Sequence, residues 1–450
     1  MTLPYQLVVT GGTLCTPGGP MVADLGIREG QIVAIGDLGA HATAAEVIDA
    51  RGLHVLPGVI DAQVHFREPG FPHKEDLATG TAAAVLGGVT AVLEMPNTEP
   101  PTTTALALAD KVARLAGRAR CDVGFFVGAT PDNAASLGQL EGLPGCAGVK
   151  VFMGSSTGSL LVADDEALSA VFASGRRRIA VHAEDEARLR ERKAIAVERA
   201  DVAAHPDWRD AETALRATWR AVALARRFGR PVHVLHVTSA EECELLAAAK
   251  DIATFEIPPQ HLTLAAPDCY AALGTRAQMN PPIRDAQHQR ALWAAVTSGA
   301  CDLLATDHAP HTLEEKARPY PQSPSGMPGV QTMLPIMLDH VAAGRLTLAR
   351  LIDLVCAGPA RVWGLAAKGR LAVGFDGDLT LVDLAARREL RDADMATRVG
   401  WTPFAGRTVT GWPIATVVRG HLVMRDGALI GEPIGRAARF IDTLAPIAPP

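Results

Sequence analysis

The sequence has no long apolar run, no paired cysteine motif and no excess of basic residues, and each absence excludes a class of protein. No apolar segment approaches the roughly 20 residues of a transmembrane helix, and no cationic segment precedes an apolar one at the N-terminus, so we expect neither a membrane span nor a signal peptide. Seven scattered cysteines without a CxxC pair are typical of reduced thiols. We therefore expect a soluble, cytoplasmic protein.

The charge balance excludes nucleic-acid binding as the main function. Lys and Arg total 43 against 49 Asp and Glu, a formal net charge of −6, whereas nucleic-acid-binding domains normally carry a basic stripe. The 450 residues, 48% of them hydrophobic, can bury a sizeable core. This length suits a large α/β barrel of roughly 250 residues with an accessory domain. We therefore expect a large α/β barrel with an accessory domain that does not bind nucleic acid.

Both ends of the chain have the pattern of short strands joined by glycine-rich turns. Residues 5–55 and the segment after 366 alternate apolar positions with Gly or Asp-Gly turns. We predict a composite β-sandwich domain from residues 1–55 and 366–435, followed by a C-terminal tail at 436–450.

The middle of the chain, residues 56–365, alternates apolar runs with helical segments rich in Ala, Leu and Arg. Eight strands alternating with helices predict a (β/α)8 TIM-type barrel. The predicted strands are residues 57–65, 89–95, 122–129, 147–153, 178–183, 231–237, 252–257 and 301–307.

Residues that can bind metal ions stand near the ends of these predicted strands. In a parallel barrel the C-terminal strand ends form one face, where active-site residues collect. Gln63 and His65 are two apart on a strand and so face the same side. Neutral imidazole and carboxylate oxygen are both good zinc ligands. The candidate ligands are Gln63, His65, Lys150, His182, His236 and Asp307.

Lys150 and Asp307 suggest more specific chemistry. A lysine within an apolar strand is unfavourable unless its charge is removed or paired. Reaction with CO2 would turn the Lys150 amine into a carbamate able to bridge two metal ions, and pairing with a nearby carboxylate is the alternative. Asp307 could hold a metal ion and also accept a proton from the attacking water.

A second group of residues could hold the substrate. Arg67 follows His65 by two positions and therefore faces the same site, unless it pairs with Glu68 or Glu75. An arginine, amides and a histidine form a suitable socket for a small carboxylate with planar amide groups. These candidates are Arg67, Asn97, Asn280 and His311.

The motifs together resemble the amidohydrolase superfamily and, more narrowly, its dihydroorotases, which are close to hydantoinases and allantoinases. They are "PGVIDAQVHFREPGFPHKED", "EMPNT", "GVKVFMGSSTG", "VHAED", "LHVTS", "MNPPIR" and "ATDHAPHTLEEK", and the resemblance spans about residues 5–430. It implies Zn2+, one or two ions per chain, and reversible hydrolysis of dihydroorotate to N-carbamoyl-aspartate in pyrimidine biosynthesis. A homo-oligomer is expected, with aspartate carbamoyltransferase as a possible partner.

The resemblance also implies a role for each site residue. His65 would bind the more buried metal ion, the Lys150 carbamate would bridge both ions, and His182 with His236 would hold the second ion. Asp307 would be ligand and proton shuttle. The substrate carboxylate would be held by Arg67, Asn97 and His311, and its ring by Asn280.

Gln63 departs from the His-x-His pattern of the family. An amide oxygen is a poorer zinc ligand than imidazole. Three outcomes are open: weak ligation by Gln63, a buried metal held without it, or a partly empty site.

The alternative functions are a hydantoinase or allantoinase, and a non-catalytic partner of aspartate carbamoyltransferase. The long loop 311–329 is a lid or a loop without a catalytic role.

Overall fold

The computed structural model describes residues 5–39, 43–156 and 160–444, and its strands form two separate sheets. In chain order the strands are β1 (Tyr5–Thr16), β2 (Gly19–Arg28), β3 (Gln31–Gly36), β4 (Ala44–Asp49), β5 (His54–Pro57), β6 (Val59–Val64), β7 (Val89–Glu94), β8 (Asp122–Gly128), β9 (Cys146–Phe152), β10 (Ile179–His182), β11 (Val232–Val234), β12 (Ala253–Ile257), β13 (Leu303–Leu304), β14 (Leu379–Glu389), β15 (Thr408–Val418), β16 (His421–Arg425) and β17 (Ala428–Leu429).

The central sheet is the predicted barrel. Strands β6 to β13 lie in sequence order and every neighbouring pair is parallel. A parallel bridge between Val64 and His308 joins the two ends of this order. The Asp61 carboxylate adds to the closure, accepting from the Thr306 backbone N–H at 3.0 Å and from its hydroxyl at 2.5 Å. The fold class is therefore confirmed.

The strand sequences explain this arrangement. Residues 89–94 read Val-Thr-Ala-Val-Leu-Glu and are buried throughout, as are residues 146–152. Near-continuous apolar runs are typical of parallel strands covered on both faces. The few polar side chains within such strands are thereby directed into the barrel or to its C-terminal face.

Helices follow the barrel strands and cover them. Side-chain N-caps fix several starts, as Asp210 does for the 18-residue helix 211–228, which Gly229 ends in the left-handed conformation. Within the described ranges, no helix combines the length and the apolar character needed to span a bilayer. The α-helices are Leu77–Leu86, Ala105–Ala113, Leu137–Leu140, Asp165–Ala173, Glu186–Arg199, His205–Trp208, Ala211–Phe228, Ala240–Ala247, Pro259–Thr263, Asp268–Leu273, Ala286–Ser298, Leu313–Lys316, Met333–Ala342, Leu348–Ile352 and Gly358–Trp363.

The second sheet is built from both ends of the chain. Its order is β17-β16-β15-β14-β5-β1-β2-β3, with β4 paired to β1. Strand β5 joins the two ends, since it pairs in parallel with β1 and antiparallel with β14. The sheet has its own apolar cluster, separate from the barrel core. The domain limits proposed from the sequence stay predictions, and residues 445–450 of the proposed tail lie outside the described residues.

A buried ion cluster connects this sheet region with the barrel. The ammonium of Lys368 lies 2.9 Å from Asp122, 3.2 Å from Asp376 and 2.5 Å from Asp378. The three carboxylates lie close enough together to hold a metal ion, but the lysine already supplies their counter-charge, and they raise its pKa. We therefore interpret the cluster as a structural junction between the first residue of β8 and the C-terminal segment.

Candidate active site

All six predicted metal-binding residues line one pocket at the C-terminal ends of the barrel strands. Three of the four predicted substrate-binding residues line it too, whereas His311 lies behind its wall. The lining residues are Gln63, His65, Arg67, Asn97, Lys150, Phe152, Ser156, His182, His236, Asn280, Asp307, Ala309, Ser325 and Gly326.

Gln63, His65 and Asp307 form one half of the site. Asn97 Oδ1, which can only accept, lies 2.7 Å from His65 Nδ1, so Nδ1 carries the hydrogen. In the neutral ring, His65 Nε2 then presents a lone pair to Asp307 Oδ1 at 2.9 Å. Two acceptors at this distance need a proton or a metal ion between them, and burial lowers the pKa of His65. The donor set therefore fits a cation.

His182 and His236 form the other half. Glu184 Oε2 accepts from His182 Nε2 at 2.8 Å, which leaves His182 Nδ1 facing His236 Nε2 at 3.0 Å. Two nitrogens on one tetrahedral zinc ion, each at about 2.0–2.1 Å, lie about 3.3 Å apart. Burial is the main cause that lowers the pKa of both rings, which favours the neutral, ligating form. This half also fits a metal ion.

Glu184 and Arg209 were not predicted as site residues. Arg209 donates to both Glu184 carboxylate oxygens at 3.0 and 2.5 Å, and to the Ser155 carbonyl at 2.7 Å. A carboxylate that accepts from the second nitrogen of a ligating histidine fixes its tautomer and orientation. The position of Glu184 two residues after His182 was the available signal, whereas nothing local marked Arg209.

Lys150 is buried and directed into the pocket. Its Nζ lies 4.4 Å from the centre of the Phe152 ring. In the described part of the chain no carboxylate lies within 4.0 Å of Nζ, so the alternative of a directly paired lysine is wrong. Burial lowers the pKa of Lys150 to about 7. The neutral amine, which is the form that reacts with CO2, is therefore well populated near neutral pH.

Three site residues have the left-handed backbone conformation that non-glycine residues rarely adopt. The φ angles are 61° at Arg67, 38° at His236 and 47° at Asp307. Such strain persists only where the surrounding structure imposes it, and it concentrates at functional sites. The turns direct all three side chains into the pocket just beyond the ends of their strands.

Arg67 is a buried cation that has no hydrogen bond to a carboxylate among the described residues. Its Nε donates to the Pro310 carbonyl at 3.3 Å, and Nη2 lies 3.2 Å from His311 Nε2. Across residues 5–39, 43–156 and 160–444 it forms no ion pair, so the proposed bridge to Glu68 or Glu75 is wrong. Burial lowers its pKa to about 10. A ligand carboxylate would supply a counter-charge in direct contact with the guanidinium.

The remaining predicted substrate residues differ in position. Asn280 lines the pocket, and its Oδ1 lies 3.0 Å from His205 Nε2. His311 braces Arg67 from behind, and its Nδ1 lies 3.2 Å from Lys74 Nζ. Lys74 was not among the predicted residues. His311 therefore contacts the pocket wall at Arg67 and at Ser325, whose carbonyl lies 3.1 Å from His311 Nε2.

The loop 311–329 forms a bonded wall of the site. Lys316, buried within it, donates to the carbonyls of Gln278 at 3.1 Å, Pro324 at 2.8 Å and Gly326 at 3.0 Å. Trp401 Nε1 also donates to the His311 carbonyl at 2.9 Å. Because Gly326 and the neighbouring Ser325 line the pocket, these bonds fix part of its wall. They favour a fixed wall over a lid.

Replacing Lys316 with methionine should destabilise the protein and loosen this wall. The substitution removes the ammonium group that donates to three backbone carbonyls. Each hydrogen bond to a charged group contributes about 1.5–3 kcal/mol to stability, and rearrangement of the loop offsets part of the loss. We expect a loss of about 2–3 kcal/mol in urea unfolding, together with faster proteolysis within 311–329. Lys193→Met, at an exposed helical position, is the matched control. Unchanged stability and proteolysis would contradict the anchoring role.

Comparison with known proteins gives one consistent family. A profile described as "Amidohydrolase family" matches residues 54–423. The chain is 40% identical to a dihydroorotase of Halobacterium salinarum, over 86% of this chain and 89% of that protein. It is 36% identical to an allantoinase of Rubrobacter xylanophilus, over 97% and 98%. The solved L-hydantoinase (dihydropyrimidinase) of Arthrobacter aurescens has a TM-score of 0.92 at 30% identity, over 96% and 99%. The chain belongs to the amidohydrolase family.

Proposed function

We propose that this protein catalyses the reversible hydrolysis of dihydroorotate to N-carbamoyl-aspartate, a step of pyrimidine biosynthesis. The observation that carries the proposal is Arg67, a buried guanidinium that lines the pocket and has no ion pair in the described part of the chain. Dihydroorotate carries a carboxylate, which a guanidinium binds through two parallel hydrogen bonds. Allantoin and simple hydantoins carry none, so they would leave this buried charge without a partner.

We further propose that the enzyme is zinc-dependent and that Lys150 is carboxylated. The family is metal-dependent in general, and both halves of the site have donor sets suited to divalent metal ions. The Lys150 nitrogen would attack the carbon of CO2 and lose a proton, giving an anionic carbamate between the two halves. Bound metal ions would polarise the substrate carbonyl and lower the pKa of a water molecule.

The protein's own groups would then bind the substrate and move a proton. Arg67, braced by His311, and Asn97 would hold the carboxylate, and Asn280 would contact the ring. Asp307 would take a proton from the attacking water as the new C–O bond forms at the ring carbonyl. It would pass that proton to the ring nitrogen as the C–N bond breaks. The same steps in reverse close the ring.

The assembly and location of the enzyme stay predictions. We expect a homo-oligomer in the cytoplasm, with aspartate carbamoyltransferase as a candidate partner. All seven cysteines are buried and free, in keeping with reduced thiols. A purely non-catalytic role is disfavoured because the predicted ligands converge on one pocket.

The function is tested by comparing three cyclic amides on the purified, zinc-loaded protein. We expect kcat/KM for dihydroorotate to exceed that for allantoin and for a substituted hydantoin by about 100-fold or more, since a buried polar group left unpaired discriminates strongly. Carbamoyl-aspartate formation is followed by loss of the dihydroorotate absorbance. Preferential turnover of allantoin or a hydantoin would replace the proposal with that activity, and no turnover of any of the three would support the non-catalytic role.

A further inference from the structure

The side chain of Gln63 is buried, and only one end of its amide is bonded to the protein. It is 1% exposed, and its Nε2 donates to Asp307 Oδ1 at 3.0 Å. Only the NH2 end of an amide can donate to a carboxylate, so the orientation of the group is fixed. The carbonyl oxygen Oε1 is buried without a hydrogen-bond partner in the described residues. Buried polar atoms are rarely left in this state without a functional reason.

The groups around Gln63 show what Oε1 lacks. It belongs to the same pocket as His65 Nε2 and Asp307 Oδ1, two acceptors that already face each other at 2.9 Å. A third acceptor directed into this region adds to the need for a positive charge. A carbonyl oxygen, a carboxylate and one imidazole nitrogen together form a mixed donor set that is richer in oxygen than the His182–His236 half.

We propose that Gln63 Oε1 is a metal ligand, and that the half-site of Gln63, His65 and Asp307 favours an oxygen-seeking divalent cation, while the His182–His236 half-site binds Zn2+. Carbonyl and carboxylate oxygens suit Mn2+ and Mg2+, whereas imidazole favours zinc. The inference rests on the proposed metal-dependent function and assigns the two ions different exchange behaviour. One ion stays bound under mild chelation, and the other exchanges.

The same hydrogen bond gives Gln63 a second effect on Asp307. By donating to Oδ1, the amide restrains the carboxylate and leaves Oδ2 as the oxygen available for proton transfer. Histidine at position 63 would replace an oxygen donor with a nitrogen donor and would remove the amide hydrogens. Gln63→His should therefore shift metal preference toward zinc, independently of any change in turnover.

The experiment measures metal content and Mn2+ binding without using catalysis. Wild type, Gln63→His, Gln63→Leu and the control Gln331→Leu are dialysed against a mild chelator, analysed for zinc, and titrated with Mn2+ by electron paramagnetic resonance. The Gln331 side chain forms hydrogen bonds with the backbone of Asp394 and Ala396, away from the pocket. The control therefore makes the same Gln-to-Leu change at a position outside the site. Circular dichroism establishes whether each variant is folded. If Gln63→Leu does not fold, Gln63→Glu, which keeps an oxygen donor at this position, is titrated with Mn2+ in its place.

We expect wild type and Gln331→Leu to retain about one zinc ion and to bind about one Mn2+ per chain. Gln63→Leu should keep its zinc but bind Mn2+ at least about tenfold more weakly than wild type. Removing a residue that only hydrogen-bonds to a metal ligand already lowers metal affinity about 10-fold to 100-fold, and removing a ligand itself should lower it at least as much. Gln63→His should retain about two zinc ions, and Gln63→Glu should bind Mn2+ at least as tightly as wild type.

Two results would overturn the inference: wild type that retains two zinc ions under the same dialysis, or Gln63→Leu that binds Mn2+ as wild type does. Neither result bears on the substrate, because dihydroorotate turnover by the zinc-loaded wild type is measured separately. Conversely, the predicted metal behaviour without dihydroorotate turnover would support the role of Gln63 and reject the proposed function.

Discussion

Lys150→Ala is expected to lower dihydroorotate turnover by about 10³-fold or more, the scale of removing a group that acts directly on transition-state charge. The lysine lies in β9 between the two halves of the site, and its carbamate would supply an anion shared by both. Alanine would leave both metal-binding halves of the site without the anion that they share. Because alanine also leaves space in the pocket, small carboxylic acids should enter and restore part of the activity.

The measurement is turnover of Lys150→Ala at increasing acetate or propionate, with metal content determined in parallel. Lys250→Ala is the matched control, since Lys250 is a partly exposed lysine paired with Asp302. We expect the control to retain wild-type turnover. If Lys150→Ala keeps most of its activity, or gains none with added acids at any concentration, the carbamate proposal is wrong.

Arg67→Met should have the second-largest effect, and it should depend on the substrate. Removing one partner of a buried charge pair costs about 2–5 kcal/mol, or roughly 30-fold to several thousand-fold in kcat/KM. We expect that loss for dihydroorotate. Dihydrouracil has the same ring without the carboxylate, so its slow turnover should change little. The ratio of the two substrates therefore reports the guanidinium–carboxylate contact, separately from any general damage to the site.

Steady-state kinetics with both substrates provide the check, with Arg220→Met as the control. Arg220 pairs with Asp165, which is 87% exposed, on the outside of the barrel, and exposed pairs contribute little to stability. Equal losses for dihydroorotate and dihydrouracil in Arg67→Met would show that Arg67 supports the site as a whole. In that case the choice of a carboxylate-bearing substrate would lose its main support.

The barrel was predictable because its strands are local patterns. Each of the eight predicted segments overlaps one observed barrel strand, with β9 beginning one residue before its segment, and the larger differences occur where the site begins. The segment 231–237 contains a strand that ends at Val234, and the segment 301–307 contains one that ends at Leu304. His236 and Asp307 lie just beyond, in the left-handed conformation. Apolar periodicity does not mark such turns, so the prediction extended the strands through them.

The contacts that complete the site were not predictable, because they join residues far apart in the sequence. Arg209 reaches Glu184 across 25 positions, and Lys316 reaches the carbonyl of Gln278 across 38. Lys74 contacts His311 across 237 positions. Residue type suggests what such groups could bind, but the path of the loops decides which partner they meet. The same limit applies to His311, whose contact with Arg67 no local pattern indicated.

The composite sheet has a consequence for how the chain is made. Strand β5 pairs with β14, which follows more than 300 residues later. At ribosomal rates of 5–20 residues per second, the N-terminal strands wait about 15–60 s for their partner to emerge. Their unpaired edge is a site for wrong association during this interval. Newly made protein should therefore depend on early capture by chaperones, and a circular permutant that joins the two terminal segments should depend on them less.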